Sequence, residues 1–165
     1  MQLLNRVETM KREDALRATS ATLRARSVHE ARVRRLNDAR AREAPDGAYV
    51  LLWAQSAQRT RWNEALEYAV DRANDRRAPL VVVFCSTATY PEANERHVGF
   101  MLEGLCEMRA TLGKRRIAFE AFACAPPEAA LAASERAIEV VTDSGYLRLL
   151  RAWREDLARR ATCAV

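Results

Sequence analysis

No apolar run in this chain approaches the ~20 residues that a membrane-spanning helix needs. The N-terminus is polar and arginine-rich, without the apolar stretch of a secretory leader. Both absences point to the inside of the cell, and a cytoplasmic protein is expected. Cysteine is present but unpatterned: Cys85, Cys106, Cys124 and Cys163 form no CxxC pair. Thiols scattered in this way usually behave as small buried apolar groups. Only His29 and His97 could complete a metal site, and neither has ligand spacing to a cysteine, so no metal is expected.

Signatures of nucleotide chemistry and covalent catalysis are missing as well. There is no P-loop, and Ser56 and Ser144 lack a GxSxG elbow. The turn after the first apolar run, Trp53-Ala54-Gln55-Ser56, has no glycine. A GxGxxG turn exists so that backbone can approach a pyrophosphate, and its absence argues against an NAD site of that kind. Neither histidine falls at a strand end, and Glu103 and Glu107 read as solvent-facing neighbours one helical turn apart. No hydrolytic machinery is expected.

What the chain does contain suits one folded domain: 165 residues, 49% hydrophobic and 30% charged. The charge is uneven. Residues 1–44 hold 11 of the 27 Lys+Arg and 6 of the 22 Asp+Glu, so the net +5 belongs to an N-terminal arm and the rest is balanced. Its alanine- and arginine-rich composition favours helix. Leu3, Leu4, Val7 and Met10 give it a short apolar stripe, Val33 and Leu36 could dock on the body, and Pro45-Asp46-Gly47 breaks it. A basic arm can lean on nucleic acid or an acidic partner. The absence of interleaved aromatics favours a solvated, frayed helix over that role.

From residue 45 onward strands alternate with helices. Ala48 to Trp53 and Leu80 to Phe84 are continuous apolar runs, as in strands covered on both faces. Between them Trp62, Ala65, Leu66, Ala69, Val70 and Ala73 fall at helical spacing. Pro91 suits the first turn of a second helix, striped by Val98, Met101, Leu102, Leu105, Met108 and Leu112 and ended by Gly113. Ile117 to Phe122 reads as a strand near an edge, because Glu120 interrupts it. Pro126-Pro127-Glu128 opens a short helix. Ile138 to Thr142 is a fourth strand, Tyr146, Leu150, Trp153 and Leu157 stripe a last helix, and Thr162 to Val165 begins a fifth strand. The expected fold is a Rossmann-like α/β domain over 45–165, a doubly wound parallel sheet of about five strands, preceded by a basic helical arm over 1–44.

Ligands gather beyond the carboxyl ends of such strands. Trp53, Gln55 and Ser56 after the first strand, with Cys85 and Ser86 after the second, are therefore the candidate crevice residues, offering a stacking face, an amide and hydroxyls. The core is the competing destination for Trp53. Asp143-Ser144-Gly145-Tyr146 reads as a capped helix start. Arg148, Arg151 and Arg154 present a basic face at helical spacing, either solvated or facing a partner.

Several strings taken together resemble class II cyclobutane-pyrimidine-dimer photolyases. They are Arg32-Val33-Arg34-Arg35-Leu36-Asn37, Tyr49 to Arg59, Trp62-Asn63 with Ala65 to Ala69, and Pro79 to Phe84. The most specific is Tyr90-Pro91-Glu92-Ala93-Asn94-Glu95-Arg96-His97, continuing through Phe100 to Leu105. Asp143 to Arg148, Arg151 and Trp153-Arg154 complete the set. The match runs in order over residues 32–165. The resemblance implies a protein that splits pyrimidine dimers by light-driven electron transfer from reduced FAD, a carbon–carbon lyase whose flavin, DNA groove and tryptophan relay lie in a helical C-terminal domain. This chain would be the N-terminal antenna domain alone, without that FAD-binding domain, and would not repair DNA by itself. A deazaflavin, folate or flavin antenna is the implied chromophore, and DNA would be met only through the full-length protein. Two other readings stay open: a stand-alone nucleotide- or chromophore-binding module, and an interaction domain that self-associates through its open sheet edge.

Overall fold

A computed structural model describes residues 28–43, 48–87, 90–91 and 93–165. The apolar stripe at Leu3 to Met10 and the break at Pro45 to Gly47 lie outside the described residues. Four parallel strands form one sheet: β1 (Tyr49–Ala54), β2 (Leu80–Ser86), β3 (Ala118–Ala123) and β4 (Ala137–Thr142), in the order β3-β2-β1-β4. The helices are α1 (Glu64–Arg76), α2 (Glu95–Lys114), α3 (Pro126–Ser134) and α4 (Arg148–Arg160).

β1 is central and every residue of it is buried, which is why its sequence is apolar without alternation. Leu51 pairs with Val81 on one side and Val140 on the other. Strand pleating sends alternate side chains to opposite faces. Tyr49, Leu51 and Trp53 pack with Ala129, Ala130 and Ala133 of α3 and Leu157 of α4. Val50, Leu52 and Ala54 pack with Leu66 and Ala69 of α1 and with Leu105, Met108 and Leu112 of α2. Each fully buried large apolar side chain contributes roughly 1.5–3 kcal/mol, so this central strand anchors both cores. Glu120 sits in β3 at the sheet edge, where Arg109 of α2 meets it at 3.5 Å. The fifth strand has begun: Glu139 and Ala164 form a single parallel bridge beside β4.

Several local expectations are corrected. Residues 28–43 contain no α-helix; a 3₁₀ turn at Glu30–Arg32 leads into an extended strap. The strap is held from far along the chain, which outweighs its local helix propensity. The Leu36 N–H donates to Val165 O, the Ala164 N–H to Arg40 O, and the Arg42 N–H to Ile138 O. Asn37 Nδ2 donates to the carbonyls of Ala158 and Cys163, and its Oδ1 accepts from the Val165 N–H. The Arg42 guanidinium spans Ser134 O, Glu135 O and Thr162 Oγ1. On the β4 side of the sheet, Ala164 and Val165 therefore already pair within the chain.

Helix starts shift for reasons of capping. Asn63 caps α1 by accepting from the Leu66 N–H, so Trp62 lies outside the helix, left-handed at φ 53° and exposed. Asn94 and His97 form a capping box that starts α2 at Glu95, four positions after Pro91. Gly113 lies within the last turn of α2, and the left-handed residue beyond it is Arg116. Leu105, Met108 and Leu112 are buried, whereas Val98 and Leu102 are exposed and belong to no core. α4 starts at Arg148 without a side-chain cap, leaving Tyr146 exposed and Asp143 free for another task.

Candidate functional site: the carboxyl ends of the strands

Between β1 and β4 the sheet reverses its strand order, and ligands of doubly wound sheets enter at that point. Here the crevice floor is filled by the chain itself. Asp143 follows β4, and its Oδ2 accepts from three successive backbone N–H groups: Gln55 at 3.2 Å, Ser56 at 2.8 Å and Ala57 at 2.6 Å. A row of N–H groups at this turn is where phosphate sits in dinucleotide-binding sheets. The Asp143 carboxylate stands in that place, which accounts for a turn without glycine. Next to it Gly145 packs so closely that a Cβ would lie 2.7 Å from Leu150 Cδ1 and 2.8 Å from Ser56 Oγ. Arg154 secures this loop by donating to Gly145 O at 3.0 Å. Sequence reasoning took Asp143 for a helix cap. The available signal was an acid at one strand end opposite a glycine-free turn at the neighbouring one.

Trp53 is fully buried and its ring belongs to the core of the α3–α4 face, so it offers no open stacking surface. Gln55 is buried, with Nε2 directed to Thr142 Oγ1 at 3.4 Å, and Thr142 in turn donates to Trp53 O at 3.0 Å. Ser56 is exposed and Ser86 half-buried. The Cys85 thiol is buried, and burial pushes it up to about 12, with Cys124 adding to the rise and Trp53 opposing it. It is a neutral thiol at physiological pH, not a nucleophile. Three buried polar atoms among the described residues lack an oxygen or nitrogen partner: Gln55 Oε1, Asp143 Oδ1 and Trp53 Nε1, the last directed only at the weakly accepting Cys85 thiol. All three belong to the end of β1 and its β4 neighbour, and unsatisfied buried groups of this kind ask for a water or a ligand atom.

Around this floor, Tyr90 from the loop after β2 contacts Trp153 of α4, with ring centroids 6.3 Å apart and planes tilted by 59°. Arg148 and Arg151 are exposed on α4, while Arg154 is occupied by Gly145, so the expected basic face keeps two of its three arginines open. A groove of about 1560 Å³ begins at Ser56, Asp143 and Gly145 and continues between the strap and α1. No group of residues able to hold a metal ion occurs among the described residues, and no helix there is long and apolar enough to cross a membrane.

A family model described as DNA photolyase matches residues 50–165. A deoxyribodipyrimidine photo-lyase of Methanothermobacter thermautotrophicus is 41% identical over 133 residues, covering 79% of this chain and 29% of that protein. A deoxyribodipyrimidine photo-lyase of Arabidopsis thaliana is 31% identical over 115 residues, covering 68% of this chain and 23% of that protein. The chain thus spans less than a third of the length of these curated relatives. Among solved structures, a universal stress protein from Archaeoglobus fulgidus aligns with a TM-score of 0.47 at 20% identity, over 71% of this chain and 98% of that one.

Proposed function

The chain belongs to the DNA photolyase family, and from that premise we propose that residues 45–165 are the N-terminal light-antenna and scaffold module of a class II type photolyase acting on cyclobutane pyrimidine dimers. The observation that carries this reading is the family match over residues 50–165, a range that takes in the sheet and its helices. On this reading the repair chemistry belongs to a flavin-binding helical domain, and these 165 residues do not repair DNA by themselves.

An antenna chromophore (a deazaflavin, folate or flavin) would absorb light when bound and pass the excitation on. The residues at the strand ends suit the holding of a polar heterocycle. Ser56 opens onto the groove and Ser86 lies half-exposed at the end of β2. Beneath them Gln55 Oε1 and Asp143 Oδ1 lack donors, and each unpaired buried group costs about 1–3 kcal/mol until something supplies one. Trp53 and the neutral Cys85 thiol would form the apolar floor rather than a stacking face. The carboxylate of Asp143 already occupies the anion seat, so the favoured ligand binds through its ring system rather than through a phosphate at this turn. Arg148 and Arg151 would face the flavin domain.

The test is the near-ultraviolet and visible absorption of freshly purified protein, with mass spectrometry of any released small molecule. A band beyond the protein's own absorption, matched to one of these chromophores and weakened by Gln55→Leu, is the expected result. A colourless protein that also ignores added deazaflavin, folate and flavin rejects the antenna role.

A further inference from the structure

We propose that the outer flank of α2 is a self-association surface, where a second copy of this chain packs its own α2 antiparallel to the first. This inference is independent of the chromophore reading. That reading concerns the strand ends, whereas α2 covers the face of the sheet opposite α3 and α4.

α2 is 20 residues long, and its buried residues are Leu105, Met108 and Leu112, which hold one face of it on the sheet. About a quarter turn around the helix from them, Val98, Leu102 and Cys106 follow one another at i, i+4 spacing and form a second row. This row touches no core: Val98 is 41% exposed, Leu102 is 52% exposed, and Cys106 is exposed as well. A helix with one buried face usually turns only polar groups to water, so an open apolar row beside that face fits a surface that becomes covered. The neighbouring β3 edge carries Glu120, and a charge on an edge strand resists pairing with another strand. A helix is therefore the better cover for this flank.

The flank is complementary to itself. A two-fold axis through Cys106 sets each residue of one α2 opposite a residue of the other, and the relation is mutual. Leu102 then meets Ala110, and Glu103 meets Arg109. Arg109 is otherwise engaged only loosely, with Glu120 at 3.5 Å on the surface. Gly99 meets Gly113, and at both glycines an added Cβ would find nothing within 4 Å, so the two backbones have room to approach. Glu95 at the start of one helix comes within a turn of Lys114 and Arg115 at the end of the other. The reverse, parallel pairing would set Glu103 against Glu103 and Arg109 against Arg109, and it would also oppose the helix dipoles. Charge thus selects both the partner and its direction. One helix pair is a small interface, at the low end of the ~1,200 Å² typical of weak complexes, so the dimer exchanges readily with monomer.

The experiment is sedimentation velocity of the full 165-residue chain from low micromolar to near-millimolar concentration. The average mass is expected to rise toward that of a dimer over this range, and Leu102→Glu abolishes the rise. Glu103→Arg and Arg109→Glu each weaken dimerisation about tenfold, since each reverses two exposed charge pairs in the symmetric contact, and the two changes together restore it. Cross-linking reads the same contact at one atom. In Cys124→Ser the exposed thiol that remains is Cys106, so a short bis-maleimide joins two chains there, and adding Leu102→Glu removes that product. A monomer mass at every concentration overturns the proposal. Association or cross-linking that Leu102→Glu leaves unchanged overturns it too, as does a double charge reversal that associates no better than the single ones. Circular dichroism of each variant confirms that an exposed side chain was changed without loss of fold.

Discussion

The Asp143 carboxylate meets the backbone N–H of Ala57 at 2.6 Å, while also holding those of Ser56 and Gln55. One side chain at the end of β4 thereby fixes the whole turn that leaves β1. The same contact links the two middle strands at the point where a doubly wound sheet would otherwise be open.

Removing that carboxylate leaves three N–H groups to find other acceptors. Asp143→Ala is expected to lower stability by about 2–4 kcal/mol, since hydrogen bonds to a charged group contribute about 1.5–3 kcal/mol each and are not additive. The midpoint of urea unfolding measures this. Added sulfate should raise the thermal midpoint of the variant and leave wild type unchanged, because only the variant exposes an empty seat for an anion. Equal responses of the two proteins would show that the turn does not seat anions.

Alkaline pH should destabilise the fold. Burial pushes the Cys85 thiol up to about 12, and burial also raises Tyr49 and Cys163. In the unfolded chain a thiol ionises near 8.5. Above that pH the unfolded state sheds a proton that the native state keeps, so stability falls as pH rises. The Cys85 contribution is fully present below about pH 8 and declines toward 12 by up to ~1.4 kcal/mol per pH unit, and Cys163 adds to the fall in the same direction. Urea midpoints at neutral pH and at pH about 10 give the slope, and Cys85→Ala should make it shallower; an unchanged slope would count against this assignment. Native alkylation should modify the exposed Cys106 and Cys124 and spare Cys85 and Cys163 until denaturant is added.

Asn37 latches the strap with three hydrogen bonds, to Ala158, Cys163 and Val165. Asn37→Ala should cost about 1–3 kcal/mol. Its signature in hydrogen exchange is local: the amides of Ala164 and Val165 should exchange faster than in wild type, while those of β1 change only by the loss in global stability. Uniform acceleration across the sheet would show that the strap is no separate unit.

The strands were legible because burial on both faces leaves an unmistakable apolar run, as in Tyr49 to Trp53. Edge position was legible from the single glutamate in β3. Helix starts were harder, since Trp62 and Tyr146 continue an apolar period that the backbone does not follow once Asn63 caps α1 and α4 starts at Arg148. The strap was misread because composition speaks for local preference, whereas Leu36, Asn37 and Arg42 are held by partners more than ninety positions away. The strand ends themselves could be located from the apolar runs, yet the role of Asp143 depends on how β4 sits beside β1. No short window of sequence contains that relationship.

The central place of β1 has a consequence for how the chain assembles during synthesis. Of the four strands described, β1 is made first, and it can pair with β2 across α1 as soon as residue 86 has been added. Its other flank must wait for Ala137–Thr142, so the nascent protein carries a strand destined for burial along its whole length with one bare side through the intervening stretch. The strap waits longer still, because Asn37 and Val165 are 128 positions apart. Contacts of such long range form late and slowly. Closure of the strap therefore follows completion of the sheet, and the interval before it is when these residues are most exposed to misassociation or capture by a chaperone.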